Sequence, residues 1–316
     1  MGRSRCAVTT ITQTGFEEAR KISDEVRYLP FEPLLWFWTG RQKVLAVMEA
    51  ELWFLLFYIA KLRGAKTVLI NARISDRSWK SYLRFRWFYS KIFDLIDEVY
   101  AQSETDRRRL ERLGAKNVEV IGNIKLAEPA RVTREYAKPP GTVVTAASTH
   151  EGEEEGILEA FIEWKKGCED AKLLIVPRHP ERFDRVYETV KKRAGEEGLS
   201  LHRWSETRSL EGDIVLIDAM GELINLYAVS DIVVLGGAFA PVGGHNPAEV
   251  LPFGCRLVTG RRIFNQKAIF DQMEGVLFCD LPELAETLRK ARDSEPPRLR
   301  RRVSLESLLK GISDVV

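Results

Sequence analysis

A glycine-rich stretch at residues 231–255 (DIVVLGGAFAPVGGHNPAEVLPFGC) has the residue types and spacing best suited to bind an anion. Its pattern predicts a buried strand at 232–235, a loop with two glycine pairs, and a helix that begins at Asn246. A glycine loop that leads into a helix exposes backbone N–H groups and the positive end of the helix dipole. The stretch therefore predicts a site for a phosphorylated ligand.

The residues at the predicted helix start have two interpretations. Asn246 suits the N-cap, Pro247 the first helical position, and Glu249 the third position of a capping box. Glu249 therefore either caps the helix or contacts a ligand. Gly243 and Gly244 allow a ligand to approach the backbone closely, although a tight turn would also use them.

Polar residues also follow three other predicted strands, at 142–146, 172–176 and 213–217. Because the carboxyl ends of parallel strands meet at one edge of a sheet, we expect these residues to converge. Arg178 is the most suitable, since a guanidinium binds phosphate oxygens in a bidentate fork. Singly, each has a structural alternative: a capping box, a surface histidine or an ion pair. The residues in question are Ser148, Thr149, His150 and Glu151; Arg178 and His179; and Asp218, Met220, Gly221 and Glu222.

The spacing of strands and helices predicts two α/β domains with parallel sheets. The sequence AKPPG at 137–141 interrupts the pattern, so we place the domain boundary there. The predicted domains are 1–137 and 141–295, followed by a tail at 296–316 that contains a terminal helix. The remaining predicted strands are 6–11, 27–33, 44–48, 67–70, 98–101, 117–120 and 256–259, and the predicted helices of the second domain are 152–166, 182–197 and 222–230.

Composition limits the classes of function. The chain of 316 residues is 45% hydrophobic, which suffices for two globular domains. A net charge of +2 gives no overall case for nucleic-acid binding. The four cysteines show no C-x-x-C spacing and no tight metal-ligand spacing occurs, so we expect no disulfides, no metal and no cofactor, in a reducing compartment.

Membrane contact is expected to be peripheral. No secretory signal is evident, and the longest apolar run, 52–60, is shorter than the roughly 20 residues that span a bilayer. The stretch 79–93 (WKSYLRFRWFYSKIF) interleaves aromatic and basic residues, which suits anionic headgroups, and 34–38 extends it. The alternative is an amphipathic helix whose aromatic residues face the core. The candidate residues for an acceptor or membrane surface are Arg73, Trp79, Lys80, Arg84, Arg86 and Trp87.

A set of motifs in this order resembles the Kdo transferases, which add 3-deoxy-D-manno-octulosonic acid (Kdo) to the inner core of lipopolysaccharide. The match covers nearly the whole chain and is specific as a set. The motifs are MEAELWF (48–54), LINARISDRS (69–78), AQSETDRRRLERLGA (101–115), GNIK (122–125), AASTHEGEEE (146–155), PRHPERF (177–183), DAMGEL (218–223), GGHNPAEVLPFG (243–254) and FNQ (264–266).

The resemblance implies a GT-B glycosyltransferase, with two Rossmann-like domains facing a cleft. It would transfer Kdo from CMP-Kdo to a lipid A precursor (lipid IVA), with inversion and without a metal, at the cytoplasmic face of the inner membrane. The glycine loop would hold the CMP phosphate, Arg178 would add positive charge, and Glu249 would reach the ribose. The implied donor-site residues are Ser148, Thr149, Arg178, His179, Gly221, Glu222, Gly243, Gly244, His245, Asn246, Glu249 and Asn265.

One family motif is absent from this sequence. Kdo transferases begin with a strand and helix that carry Ser-x-Gly-Glu, whose glutamate is the expected general base, whereas residues 7–15 resemble the family's second strand. We therefore expect a truncated start and a slow enzyme, since general-base catalysis is worth about 10²–10⁴ in rate. Glu49 and Glu51, at a strand end, are the substitute candidates; alternatively one of them orients the loop or pairs with Arg73.

Two other functions remain open from the sequence. The chain could be another GT-B nucleotide-sugar enzyme, either a glycosyltransferase or an epimerase. It could also be a non-catalytic remnant that binds a nucleotide or a lipid.

Overall fold

The computed structural model describes residues 6–127, 129–301 and 303–314. The chain forms two compact units, one made of Met1–Ala127 with Arg302–Val316 and the other of Glu128–Arg301. Each unit contains a parallel sheet with helices between its strands. The predicted α/β class with two Rossmann-like units is confirmed.

The first unit is built on a four-stranded parallel sheet in the order β3-β4-β5-β6. Two short strands, β1 and β2, pair in a separate parallel sheet instead of extending it. The elements are β1 (Val8–Thr10), α1 (Gln13–Ala19), β2 (Val26–Tyr28), α2 (Leu35–Trp38), β3 (Val44–Met48), α3 (Phe54–Leu62), β4 (Lys66–Ala72), α4 (Asp76–Arg84), α5 (Arg86–Phe93), β5 (Glu98–Ala101), α6 (Glu104–Leu113) and β6 (Val118–Val120).

The second unit is built on a seven-stranded parallel sheet in the order β14-β12-β11-β7-β8-β10-β9. The strands predicted in this region are present, whereas β9, β14 and α12 were not predicted. The elements are β7 (Val143–Thr149), α7 (Glu154–Lys165), β8 (Lys172–Pro177), α8 (Phe183–Glu196), β9 (Leu201–Arg203), α9 (Trp204–Thr207), β10 (Ile214–Leu216), α10 (Leu223–Tyr227), β11 (Ile232–Leu235), β12 (Arg256–Thr259), α11 (Lys267–Phe270), β13 (Met273–Glu274), β14 (Val276–Phe278), α12 (Leu284–Arg292) and β15 (Arg298–Leu299).

The order of the strands fixes where a ligand site can form in the second unit. Strands β7 and β11 are neighbours, but β7 leads to β8 on one side and β11 leads to β12 on the other. The loops that follow these two strands therefore diverge and leave a crevice at their carboxyl ends. This is the usual position of the ligand in open parallel sheets.

The prediction of an α-helix that begins at Asn246 is wrong. The segment instead forms two short 3-10 turns, Pro247–Glu249 and Leu251–Phe253. Pro252 has no N–H and its ring would clash with the carbonyl four residues earlier, so an α-helix cannot continue through it. Gly254 then adopts a left-handed conformation (φ +69°) that ends the second turn. The α-helix dipole expected at this site is therefore not present.

The boundary between the units differs from the predicted one at 137–141. Residues 129–137 lie with the second unit because side chains after β10 hold them. The Asn225 side-chain oxygen accepts from the backbone N–H groups of Thr133 (2.9 Å) and Arg134 (3.1 Å). The Tyr136 hydroxyl donates to Glu222 at 2.5 Å.

The last helix that the structure describes packs on the sheet of the first unit. A helix, α13 (Glu306–Ser313), lies in the tail predicted at 296–316. Its Leu308 is buried against Val68, Ile70 and Tyr100 of the four-stranded sheet. The Lys66 ammonium also donates to the carbonyl of Gly311 at 2.7 Å.

Candidate functional site

Three of the four histidines of the chain lie together at the edge of the seven-stranded sheet. His150 follows β7 and His245 lies in the loop after β11, so both border the crevice between these strands. Their Nε2 atoms are 2.8 Å apart and their rings are stacked, with centroids separated by 5.0 Å. His179, which follows β8, packs edge-on against His150 with a centroid separation of 5.3 Å.

At neutral pH both histidines of the pair are uncharged, and one N–H proton lies between their Nε2 atoms. Burial, together with the neighbouring His150, Arg178 and His179, lowers the pKa of His245 to about 4. Burial also lowers the pKa of His150. One Nε2 donates to the other across 2.8 Å, so the pair is a neutral hydrogen-bonded unit. An anion placed beside it would favour uptake of a proton.

The first half of the glycine loop is held by a buried carboxylate, Glu153. Its side chain is fully buried, and its two oxygens accept hydrogen bonds from four backbone N–H groups. The donors are Gly237 (2.9 Å) and His150 (2.9 Å) to Oε2, and Phe239 (3.0 Å) and Ala240 (2.9 Å) to Oε1. These loop amides are therefore not available to a ligand.

The second glycine pair is also engaged within the loop. The N–H groups of Gly243 and Gly244 both donate to the carbonyl of Gly237, at 2.9 and 2.7 Å. Within the described part of the chain, the N–H groups of His245 and Asn246 donate no hydrogen bond. The predicted glycine cradle is thus corrected: the N–H groups of both glycine pairs are engaged within the fold, whereas those of His245 and Asn246, beside the histidine pair, have no acceptor among the described residues.

The polar residues around this loop mainly support it. Asn246 caps the first 3-10 turn by accepting from the N–H of Ala248 at 3.1 Å, and its amide donates to Glu249 at 3.2 Å. The Glu249 carboxylate therefore contacts the Asn246 side chain, not the backbone as in a full capping box. Asn265 donates to the carbonyl of Val242 at 2.8 Å and lies against the loop from the exposed side.

The end of β7 places Ser148 and Thr149 differently. Ser148 has a left-handed backbone (φ +52°) and is largely buried. Thr149 is fully buried, and its hydroxyl donates to Glu154 at 2.8 Å, so its side chain does not face the crevice. Glu154 in turn forms two hydrogen bonds with the Arg182 guanidinium, at 2.7 and 3.0 Å. This buried ion pair anchors the loop after β8 to the start of α7.

The remaining residues of the predicted donor site are Arg178, Gly221 and Glu222. Arg178 is exposed, and its backbone N–H donates to the carbonyl of Thr149 at 3.0 Å, which places it at the end of β8 beside β7. Gly221 has a left-handed backbone (φ +83°). Glu222 accepts from Tyr136 and Arg134, and these contacts lower its pKa against the opposing effect of burial. In this structure Glu222 therefore holds residues 129–137, through Arg134 and Tyr136.

The candidate carboxylates of the first unit lie just after β3. Glu49 is exposed and has a left-handed backbone (φ +58°), which is unusual for a residue other than glycine. Glu51 is exposed and accepts from the Trp53 indole N–H at 2.7 Å. Arg73, at the end of β4, is exposed as well.

The stretch 79–93 is divided between core and surface. It forms two helices, α4 and α5, that meet at Phe85, so the single amphipathic helix is not observed. Trp79, Tyr82 and Tyr89 pack against the core, as the structural alternative predicted. The remainder is exposed: Trp87 has 65% of its surface accessible, and Phe85 and Phe88 are also exposed. The basic residues Lys80, Arg84 and Arg86 are exposed with them.

The part of the chain that the structure describes contains neither a candidate metal site nor a candidate membrane span. No group of three or more His, Cys, Asp or Glu residues there has an arrangement that could hold a metal ion. No described helix has both the length and the apolar character needed to cross a bilayer.

The sequence places His150 among the polar residues after β7, but only the sheet order brings it to His245. Sequence reasoning missed the role of Glu153. Glu153 lies in the acidic run EGEEE, which is typical of a solvated helix start. The sequence signal that could have indicated this role is the glycine loop at 236–244, whose backbone N–H groups need acceptors when they are buried.

Comparison with known proteins identifies the family. A profile described as "3-Deoxy-D-manno-octulosonic-acid transferase (kdotransferase)" matches residues 2–128. The 3-deoxy-D-manno-octulosonic acid transferase of Haemophilus influenzae is 33% identical over 305 residues, which cover 90% of this chain and 70% of that protein. The transferase of the same description from Aquifex aeolicus is 34% identical over 70% of this chain, which spans 56% of its length.

A solved structure shows the fold over nearly the whole chain. It is a putative UDP-N-acetylglucosamine 2-epimerase from Listeria monocytogenes, 12% identical, with a TM-score of 0.52 and coverage of 92% of this chain and 80% of that one. The fold is thus that of the GT-B glycosyltransferases and epimerases. Within that class, the chain belongs to the family of 3-deoxy-D-manno-octulosonic acid transferases, which are glycosyltransferases.

Proposed function

We propose that this chain transfers Kdo from CMP-Kdo to a lipid A precursor such as lipid IVA, with inversion at the anomeric carbon and without a metal. The observation that carries the proposal is the convergence of His150, His245 and Arg178 at the crevice between β7 and β11, in a chain of this family. This is the position at which a doubly wound sheet binds a nucleotide.

The donor phosphate fits the groups beside the histidine pair. The N–H groups of His245 and Asn246 would donate to it, and the neutral histidine pair would supply one further N–H. Arg178 raises the local positive potential, which is also why it lowers the pKa of His245. Fixed donors of this kind stabilise the negative charge that develops on departing CMP, so a divalent cation is not required. Activity that persists in excess EDTA is the expected result.

The acceptor hydroxyl must lose a proton, and Glu49 and Glu51 are the proposed bases within this chain. Glu49 is the stronger candidate, because its left-handed backbone at the end of β3 is the kind of strain found at functional sites. Glu51 is engaged by the Trp53 indole. We expect Glu49→Gln to lower kcat about 10²-fold or more with CMP affinity unchanged, and Glu51→Gln to lower it much less. Equal activity of Glu49→Gln and the wild type would remove Glu49 from this role.

The acceptor is a lipid, and the first unit offers an exposed aromatic surface that suits a membrane. We define this aromatic surface by Trp36, Phe37, Tyr58, Leu62, Phe85, Trp87 and Phe88. Within it, the Phe54 ring links two members: it lies 5.8 Å from the ring of Tyr58 and 6.2 Å from that of Phe88. Lys91 lies over Trp87 at 5.6 Å, and Arg84 and Arg86 are nearby in sequence. We propose peripheral contact with anionic lipid at the cytoplasmic face of the inner membrane.

A ligand-binding experiment tests the donor assignment. CMP-Kdo and CMP are expected to raise the melting temperature of the full chain, whereas UDP-N-acetylglucosamine is not. Stabilisation by UDP-sugars alone would instead favour another GT-B enzyme. Formation of a Kdo-lipid product from CMP-Kdo and lipid IVA, followed by mass spectrometry, tests the transfer itself.

A further inference from the structure

Glu153 connects the two loops that border the donor crevice. On one side its Oε2 accepts from the N–H of His150, after β7; on the other, its two oxygens accept from three amides of the loop after β11. Each oxygen therefore holds two N–H groups, and the side chain is fully buried. A carboxylate is the side chain that can accept all four bonds, because it has no N–H of its own.

The loop after β11 also fixes the position of His245, through hydrogen bonds and a ring contact of Gly237. Gly237, which donates to Glu153, accepts from the N–H groups of both Gly243 and Gly244 through its carbonyl. The His245 ring also lies against Gly237: a Cβ on that glycine would be 2.9 Å from the ring carbon Cδ2. The position of His245 relative to His150 is thus set through bonds and contacts that begin at Glu153.

The glycine at position 236 is a second observation pointing to the same role. Its backbone does not have a left-handed conformation, so conformational freedom does not explain it. A Cβ there would lie 2.8 Å from Glu153 Oε2 and 2.7 Å from the carbonyl oxygen of Ser148. Gly236 is therefore needed to leave room for the carboxylate.

We propose that Glu153 is a positioning residue for the donor site: it holds His150 and His245 in contact and orders the loop before the nucleotide binds. It touches neither the nucleotide nor the sugar. The identity of the nucleotide rests on the proposed function. The effect of Glu153 on the two histidines rests on the geometry alone.

The first test measures the histidines. In Glu153→Gln the amide nitrogen faces two N–H donors, so at least two of the four bonds are lost and the loop moves. We expect the His245 titration, followed by NMR of the imidazole nitrogens, to move from a pKa of about 4 toward the ordinary value. The groups that face the pair are Arg178, His179, Arg182, Glu153 and Glu154. His202, whose Nδ1 lies 2.7 Å from the carbonyl oxygen of Glu211, is the internal reference, and its NMR signals at one fixed pH should be the same in both proteins.

The second test measures CMP binding by calorimetry. We expect Glu153→Gln to weaken binding about tenfold or more, since the buried amides are left without acceptors and the loop is no longer ordered. The matched control is Asp106→Asn, a buried carboxylate of the first unit that accepts from the N–H of Ile74 at 3.0 Å. Asp106→Asn should lower stability but leave CMP affinity unchanged. Equal loss of CMP affinity in both variants would refute the positioning role.

The third test uses the wild type and does not depend on how a variant folds. The amides of Gly237, Phe239 and Ala240 should be protected from hydrogen exchange without any nucleotide, because Glu153 already binds them. Fast exchange of these amides that becomes slow only with CMP would overturn the proposal. If the wild type fails to bind CMP, the donor assignment fails, while the titration and exchange experiments still decide the role of Glu153.

Discussion

The buried ion pair between Arg182 and Glu154 gives the clearest stability prediction. The two side chains are 16% and 5% exposed and form hydrogen bonds of 2.7 and 3.0 Å. Arg182→Met would leave the Glu154 carboxylate buried, with the Thr149 hydroxyl as its one remaining side-chain donor among the described residues. Breaking a buried pair from one side typically costs about 3–5 kcal/mol, so we expect a loss of about 3–4 kcal/mol in the free energy of unfolding.

The matched control lies one turn further along. Arg185 forms an ion pair with Glu151 at 2.8 Å, but both side chains are about two-thirds exposed or more. Arg185→Met should therefore cost less than about 1 kcal/mol. The double variant Arg182→Met/Glu154→Gln removes the unpaired charge, so it should be more stable than Arg182→Met alone.

Urea denaturation followed by circular dichroism measures these differences, with the second unit's transition compared among the four proteins. A cost of Arg182→Met no greater than that of Arg185→Met would refute the destabilising effect of a buried, unpaired carboxylate. A double variant no more stable than Arg182→Met would also refute it, because the cost would then arise from lost packing.

Three further predictions concern single side chains. His245 has a pKa of about 4 in the folded protein, below its unfolded value near 6.5. The unfolded chain therefore binds a proton at higher pH than the folded one, and wild-type stability falls as the pH drops from about 6.5 to about 4. His245→Gln should lack this part of the pH dependence, about 1–2 kcal/mol after allowance for partial exposure, and identical urea midpoints against pH in both proteins would contradict it. Arg178→Ala should weaken CMP binding about tenfold by calorimetry, since it removes the charge that we propose pairs with the phosphate; an unchanged Kd would exclude that contact. Trp87→Ser should reduce co-sedimentation with vesicles containing phosphatidylglycerol, whereas Ile22→Ser, an exposed apolar residue outside the aromatic surface, should not; equal effects would argue against that surface.

The sequence by itself determined most of the strands and the family. Apolar runs bounded by polar residues predicted β3, β5 and β12 at their observed bounds. A parallel strand is buried on both faces, so its sequence carries a strong local pattern. The motif set sufficed for the family because it is distributed along nearly the whole chain. Short elements such as β9 and α9 carry too few residues for a pattern and were not predicted.

Tertiary structure decided which side chains meet. The contact between His150 and His245 joins residues 95 positions apart, and it exists because β7 and β11 are neighbours in the sheet. Likewise, the capping residues at Asn246 were identified, but the helix after them was not formed, since Pro252 prevents its continuation. A sequence shows which backbone groups need partners, whereas only the fold shows that Glu153 supplies them.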